Sequence, residues 1–400
     1  MNLKELLGRI RDTKYFPDSK ETHTLKNMGI TQNSIALIDL WTKSMTSYGL
    51  LATYIPELKK VNKDLTAIAI GDVHKNKVIV GDGTQIKISA QSVIKPFLYL
   101  YALEKGIPAK HISGMEATAM PFNTDKILQP ELESKTPEHP LNNAGAISAA
   151  GAITDFDDFI AFISRLTGNS KIEVLTPVFK SEFSVNNNNR AIANRLVASG
   201  RFKNTAEGEK AYTHYTKACS LGLTVAEVLH ASLVVASGGV TIHSNKRVAK
   251  MNNVVRVMSA MNTYGLYEQS GIISLMVSGA RANTSKSSVS GLIININPGI
   301  GAFVTYSPLL NCEGNSVYGV YAMIPLNNLL ALPGGMRLDA EELHQLLTDY
   351  SKEESEKVHQ KIIYLMKKGE NSTIFRTDPK SLQELARSYT LQVKNLTELA

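Results

Sequence analysis

The chain has 400 residues, 43% hydrophobic and 20% charged, with a formal net charge of +7. That balance suits a globular protein with a sizeable core and excludes a disordered or collagen-like chain. The basic residues are dispersed, and the clearest cluster, Lys246-Arg247 with Lys250, lacks interleaved aromatics, so it reads as a solvated face and excludes a nucleic-acid surface.

Residues 1–48 read as a segment of short helices, with Leu3, Leu6, Leu7 and Ile10 at helical spacing and a second apolar segment from Ile35. Pro56 interrupts Tyr54-Ile55-Pro56-Glu57-Leu58, because the residue before a proline is steered away from helix. Leu65 to Ile70 and Lys77 to Val80 are β-rich runs around a polar turn and predict a hairpin. Gly81-Asp82-Gly83 is a turn, and Ser92-Val93-Ile94-Lys95 opens a helix.

Residues 96–270 are mainly helical in pattern, with helices expected at Phe156–Leu166, Asn189–Ala198 and Val225–Ala236. β character returns at Leu292–Asn297, Ala302–Tyr306 and Val317–Ile324. Strands before and after a long helical stretch predict an α+β domain completed by both chain regions, with a helical part inserted. Beyond Gly334-Gly335, Asp339 and Glu342 are spaced as a capping box, and Leu343, Leu346, Leu347 and Tyr350 form one apolar stripe. The predicted partition is a helical segment 1–48, a catalytic domain 49–335 and a helical extension 336–400. Within the catalytic domain the sheet part covers about 49–95 and 275–335, and the helical part about 96–274.

The two cysteines, Cys219 and Cys312, make no disulfide framework, and a reduced, cytoplasmic setting fits. The Met1–Ile10 stretch alternates charge with apolar residues, unlike a signal peptide, and no apolar run is long enough to predict a transmembrane helix. The nine histidines show no H-x-x-x-H pair and the cysteines no C-x-x-C, so no metal site is expected.

The chemistry centres on Ser92 and Lys95. One helical turn puts the Ser hydroxyl and the Lys amine on one face. A lysine shielded from water loses its proton more easily and can activate the serine. This S-x-x-K pattern is shared by serine acyl-transfer enzymes, but four residues with two fixed recur by chance. Other polar clusters each have a bland role: Asn142-Asn143 before small residues suits a cap, Glu182 a surface charge, Tyr215 and Tyr267 a core with satisfied hydroxyls, and Lys286-Ser287-Ser288 a turn.

Taken in order they form a series: Y-I-P-E-L at 54–58, G-D at 81–82, Q-S-x-x-K-P at 91–96, F-N at 122–123, N-A-G-A-I at 143–147 and S-E at 181–182. It continues with Asn189 followed by R-A-I-A, Y-x-x-x-C-S at 215–220, G-L-Y-x-x-S-G at 265–271 and G-N-S-V-x-G at 314–319. From about Gly49 to Gly319 the series resembles the β-lactamase-like serine glutaminases. Ser92 to Pro96 and Leu25 to Ile30 are similar to the animal-type branch.

The resemblance implies a β-lactamase/transpeptidase-like α+β fold: an antiparallel sheet flanked by helices, an inserted helical domain, and helical N- and C-terminal extensions. It implies hydrolysis of L-glutamine to L-glutamate and ammonia. Ser92 would be the nucleophile and Lys95 its base, with the backbone N–H groups of Ser92 and Val289 as the oxyanion hole. Tyr267 would relay a proton to the leaving amine and Tyr54 would orient the Ser–Lys pair. Glu182 would receive the α-ammonium, and Asn143, Asn189 and Tyr215 the carboxylate and amide. No cofactor or metal is implied. A homodimer or homotetramer is, while nucleic acid and membrane are not expected as partners. The 117–140 loop carries Glu131, Glu133 and Glu138, so no phosphate response is expected.

Three departures stand out: Ser288 where the family usually has glycine, an insertion around Arg281-Ala282-Asn283-Thr284, and Ala117-Thr118-Ala119 before F-N. Ser288 raises the expectation of a crowded or left-handed backbone. The departures and the tail motivate the alternative of a catalytically impaired binding or assembly protein. A β-lactam-processing enzyme is a third reading, but there is no clean K-T-G.

Overall fold

A computed structural model describes residues 24–28, 30–46, 49–114, 137–267, 270, 284–311 and 313–331. The expected helices at 1–23 and 336–400, the F-N pair and the Arg281–Asn283 insertion lie outside the described residues.

Helix α1 (Gln32–Met45) starts where the Thr31 hydroxyl accepts the Ser34 N–H at 3.2 Å. Strands β1 (Ala67–Asp72) and β2 (Lys77–Val80) follow, then short β3 (Ile88–Ser89). The helical stretch comprises α2 (Lys95–Glu104), α3 (Ala109–Ile112), α4 (Asn143–Ala150) and α5 (Phe156–Thr167). Strand β4 (Glu173–Val174), helices α6 (Thr176–Val185), α7 (Asn187–Ala198) and α8 (Thr205–Cys219), and strand β5 (Leu221–Leu223) come next. Helices α9 (Val225–Ala236) and α10 (Met251–Tyr264) lead to β6 (Thr284–Ser287), β7 (Leu292–Asn297), β8 (Gly301–Tyr306) and α11 (Val317–Ala331).

The larger sheet runs β2-β1-β8-β7-β6 and every pairing in it is antiparallel. The expected hairpin is present, with Ile68 opposite Val80. Strand β1 lies directly against β8, with Ala67 opposite Tyr306, so the sheet is completed by chain regions on either side of the helical stretch, as expected.

Alternation along the strands divides the core. Ala67, Ala69, Ile294, Ile296 and Val304 point into the larger cluster, shared with α9 and the helical stretch. Ile68, Ile70, Ile293 and Phe303 point the other way, into a cluster with α1 and α11. The sheet is thus covered on both faces, which is why β1 and β7 read as apolar-rich runs.

Two differences from the sequence reading have local causes. Val317–Ile324, expected as a strand, is the first half of α11. A short apolar run buried on all sides has no readable period. The Ser316 hydroxyl accepts the Gly319 N–H at 3.2 Å and caps the helix start. Secondly, Ser92 does not open an α-helix. Gln91–Ile94 is a 310 turn and the α-helix begins at Lys95. Pro96 has no N–H to give the Ser92 carbonyl, so the Lys95 N–H bonds it instead, one residue tighter.

A three-stranded sheet, β3-β5-β4, joins the short strand before the Ser92 turn to two short strands within the helical stretch and was not anticipated, because strands of two or three residues carry no pattern. It fixes the site: β3 pairs with β5, so the chain entering the Ser92 turn runs beside the end of α8.

Candidate active site

Gln91 takes a left-handed conformation, with φ 46°, immediately after β3. That turns the chain sharply into the 310 turn carrying Ser92. The turn is anchored from behind: the Ala90 N–H donates to the Leu221 carbonyl at 2.8 Å, and the Ser89 hydroxyl to the Cys219 carbonyl at 3.0 Å. The Gln91 amide N–H2 donates to the Ser89 hydroxyl at 3.1 Å and to the Glu182 carboxylate at 2.9 Å. Ser92 and Lys95 are both buried, Lys95 completely.

The Lys95 amine donates to the Asn143 side-chain carbonyl at 2.6 Å. Asn143 is the first residue of α4, which is capped by Asn142 accepting the Gly145 N–H at 2.7 Å. A Cβ at position 145 would overlap the His139 carbonyl, so the small residues of N-A-G-A-I do permit a close approach. Tyr215 donates its hydroxyl to the same Asn143 oxygen at 3.2 Å, and the Asn143 N–H2 donates to Asn189 at 2.8 Å. Asn189 sits in the first turn of α7, where the Asn186 side chain accepts its N–H.

Burial pushes the Lys95 ammonium down to about 8. Burial also lifts the Glu182 carboxyl to about 7, against hydrogen bonds from Gln91 and Asn186 and the Lys95 charge. Burial raises the Tyr54 phenol well above its ordinary value, with the Glu182 charge adding to it. Tyr215 is raised in the same way, by burial first and then by Cys219 and Glu182.

The other wall is β6 with the hairpin beyond it, both packed on the Ser92 turn. The Tyr267 hydroxyl donates to the Ser287 carbonyl at 3.4 Å, and Tyr267 is itself left-handed, with φ 54°. Among the described residues four non-glycine positions have positive φ, and two of them, Gln91 and Tyr267, border this site. Backbone strain of this kind gathers where geometry is imposed by function. Val289 is buried at the tip of the hairpin between β6 and β7. Among the described residues, neither the Ser92 nor the Val289 N–H has a backbone acceptor.

All nine expected residues therefore fall in one region: Ser92, Lys95, Asn143, Asn189 and Tyr215 around the amine, Glu182 and Tyr54 beside it, and Tyr267 and Val289 across from them. The left-handed backbone expected at Ser288 is absent. Ser288 is buried in a backbone that is not left-handed, and the positive φ belongs to Gly291, at 97°.

Sequence reasoning passed over two members. Gln91 ties Glu182 to the serine turn; its signal was its place beside Ser92 in Q-S-x-x-K-P. Lys286 is fully buried, donates to the Gly265 and Ser287 carbonyls at 3.2 and 2.8 Å, and lies 4.2 Å from the centre of the Tyr267 ring. Burial, and then Lys95, hold its ammonium well below the usual lysine range. Its signal was a lysine among strand residues that are otherwise all uncharged. Among the described residues no three His, Cys, Asp or Glu side chains converge in a group that could hold a metal ion.

A buried serine beside a lysine of lowered basicity, with two undirected backbone donors nearby, can perform acyl transfer. Comparison with known proteins identifies the family. A family profile described as Glutaminase matches residues 49–332. The glutaminase of Colwellia psychrerythraea is 35% identical over 274 residues, 66% of this chain and 85% of that protein. That of Bacteroides thetaiotaomicron is 32% identical over 290 residues, 70% of this chain and 87% of that one. A solved structure described as a probable glutaminase superposes with a TM-score of 0.66 at 28% identity, covering 74% of this chain and 97% of the other. Mglu in its glutamate form superposes with a TM-score of 0.67 at 25% identity, covering 76% and 68%.

Proposed function

Because the chain belongs to the glutaminase family, we propose that it hydrolyses L-glutamine through a glutamyl ester on Ser92. The observation that carries this reading is the buried Lys95 amine, held on Asn143 at 2.6 Å and lowered to about 8. A lysine at its ordinary value is almost wholly charged at neutral pH and cannot accept a proton.

In its neutral form Lys95 takes the proton of the Ser92 hydroxyl as the oxygen attacks the side-chain carbonyl of glutamine. The developing oxyanion is received by the Ser92 and Val289 N–H groups. The carbon–nitrogen bond breaks as the leaving amine gains a proton by way of Tyr267, and ammonia departs. Water then attacks the ester, Lys95 again accepting the proton, and glutamate leaves with Ser92 restored. Tyr54 keeps the pair oriented.

Glu182 faces the substrate's α-ammonium, and Asn143, Asn189 and Tyr215 serve its carboxylate and amide. A buried charge without a partner is costly, so a site with a carboxylate and this amide cluster selects a free amino acid. One methylene fewer would misplace the amide of asparagine relative to Ser92, and glutamine is strongly preferred. The 49–335 span acts as the catalytic domain, in a chain that self-associates. Among the described residues no helix is long and apolar enough to cross a membrane.

The test is ammonia release from L-glutamine and L-asparagine, with an acid quench and intact-mass measurement to find glutamate esterified to the chain. Ser92→Ala must lose both turnover and adduct. A folded chain that releases no ammonia from glutamine refutes the proposal, and turnover persisting in Ser92→Ala refutes the nucleophile.

A further inference from the structure

The hairpin between β6 and β7 turns through Ser288, Val289, Ser290 and Gly291. The Ser288 N–H donates to the Leu292 carbonyl at 2.9 Å, and the Gly291 N–H returns to the Ser288 carbonyl at 3.0 Å. These bonds define a β-turn with Val289 and Ser290 at its central positions. Gly291, with φ 97°, closes the loop in the left-handed conformation that a three-residue hairpin requires. The N–H of the first central residue, Val289, takes no part in the turn's own hydrogen bonding.

What sets this turn apart is the side chain at its first position. The Ser288 hydroxyl reaches across Val289 and accepts the Ser290 N–H at 3.3 Å. It shares a second hydrogen bond with the Ser290 hydroxyl, in which either oxygen can donate. Ser288 is fully buried and Ser290 is 7% exposed, so water competes little for these bonds. A serine at the first turn position that bonds the residue two places on is a local clamp. The peptide it spans is that of Val289. Glycine, expected at 288 from the family pattern, has no such arm.

We infer that Ser288 is a positioning residue for the oxyanion hole: its hydroxyl braces the turn around Val289 and fixes the direction of the Val289 N–H before substrate arrives. The inference rests on the reading of Val289 as an oxyanion donor. An oxyanion donor is effective to the extent that it is already aimed when charge develops, so loosening the turn raises the barrier to reaction without weakening the hold on substrate ends. The Ser288 oxygen is itself occupied by Ser290 and does not touch the reacting atoms.

The experiment compares Ser288→Ala, Ser288→Gly and the unaltered chain in two measurements. Hydrogen exchange of the 288–291 amides reads the brace without needing turnover, and faster exchange in both variants is expected. Steady-state hydrolysis of L-glutamine is expected to show kcat lowered about tenfold with KM within about twofold, and L-glutamate binding by calorimetry unchanged. Exchange at 288–291 unaltered in the variants overturns the brace. Exchange that quickens while kcat stays within twofold, or kcat that falls together with glutamate binding, overturns its link to the oxyanion hole. Absence of turnover in the unaltered chain strikes the parent reading instead, and leaves the exchange comparison to decide the brace. Should Ser288→Ala not fold, Ser288→Gly, which adds no bulk, carries both measurements.

Discussion

The Lys95 amine donates to the Asn143 side-chain carbonyl at 2.6 Å, and both residues are shut away from solvent. The amine can serve as a base only when unprotonated, and burial brings its loss of the proton down to about 8. Ammonia release, as kcat/KM, is therefore expected to climb between pH 7 and 9, with a lower step as Glu182 ionises near 7. Lys95→Arg keeps its proton throughout and is expected to lose about a thousandfold in rate with no alkaline rise. A flat profile over this range contradicts the assignment of Lys95 as base.

Asn143 holds the amine without charge. Asn143→Asp puts a carboxylate in the same place and favours the ammonium form. The rising limb of the pH–rate profile is expected to move to higher pH, leaving the variant slower at pH 7.5 and partly recovered in alkali. A limb that stays where it was, or moves down, counts against direct coupling between the two side chains.

Glu182 is kept at a cost to stability. Its native value of about 7 lies above the ordinary 4.5, so the folded chain binds more protons between those values and loses stability as pH rises through the window. The penalty is fully present above 7 and absent below 4.5. Glu182→Gln is expected to raise the melting temperature by about 2 °C at pH 8 and by little at pH 4.5, while abolishing glutamine binding in calorimetry. A variant that melts lower at pH 8 refutes the expectation.

Gln91 combines a left-handed backbone with a bond to Glu182. Gln91→Ala loses the bond and keeps the strain; Gln91→Gly loses the bond and relieves the strain. Urea unfolding is expected to place the glycine variant above the alanine variant by roughly 1 kcal/mol, with substrate binding weakened in both. The reverse order would mean that the left-handed conformation is not imposed on position 91.

On the far face of the sheet, the Tyr318 hydroxyl donates to Asp39 at 2.6 Å, and Asp39 also meets Thr66 and Lys43. Tyr318→Phe is expected to cost about 1–2 kcal/mol in urea unfolding. Turnover per folded molecule stays unchanged, since nothing in the pocket is touched. Altered kcat in this variant would show that the two faces of the sheet communicate.

Much of this was legible from residue pattern. The β1–β2 hairpin, the β7 run and α9 follow from apolar periodicity bounded by turn residues, and the bounds of Val225–Ala236 match the reading. Val317–Ile324 misled because burial on every side erases the period that separates helix from strand. The β3-β5-β4 sheet was invisible for the opposite reason, being too short to have one. The candidate site residues were singled out through an ordered series of motifs, and no single motif would have sufficed. Glu182 in isolation looks like a surface charge, and only the fold reveals that Gln91 holds it in a buried position. The left-handed backbone expected at Ser288 is not there, because the left-handed turn residue is Gly291.

Strands β1 and β8 are neighbours in the middle of the sheet, yet more than two hundred residues separate them along the chain. During synthesis, Ser92 leaves the ribosome long before the segment that carries Val289. On the proposed reading, a nascent chain halted between Lys95 and β8 has its candidate nucleophile and base but no completed sheet against which to hold an oxyanion donor. The proposed activity must therefore arrive late and all at once, with closure of a high-contact-order sheet. Until then, the Ile68–Ile70 edge of β1 has no β8 to pair with, and the partly made protein depends on whatever shields that edge.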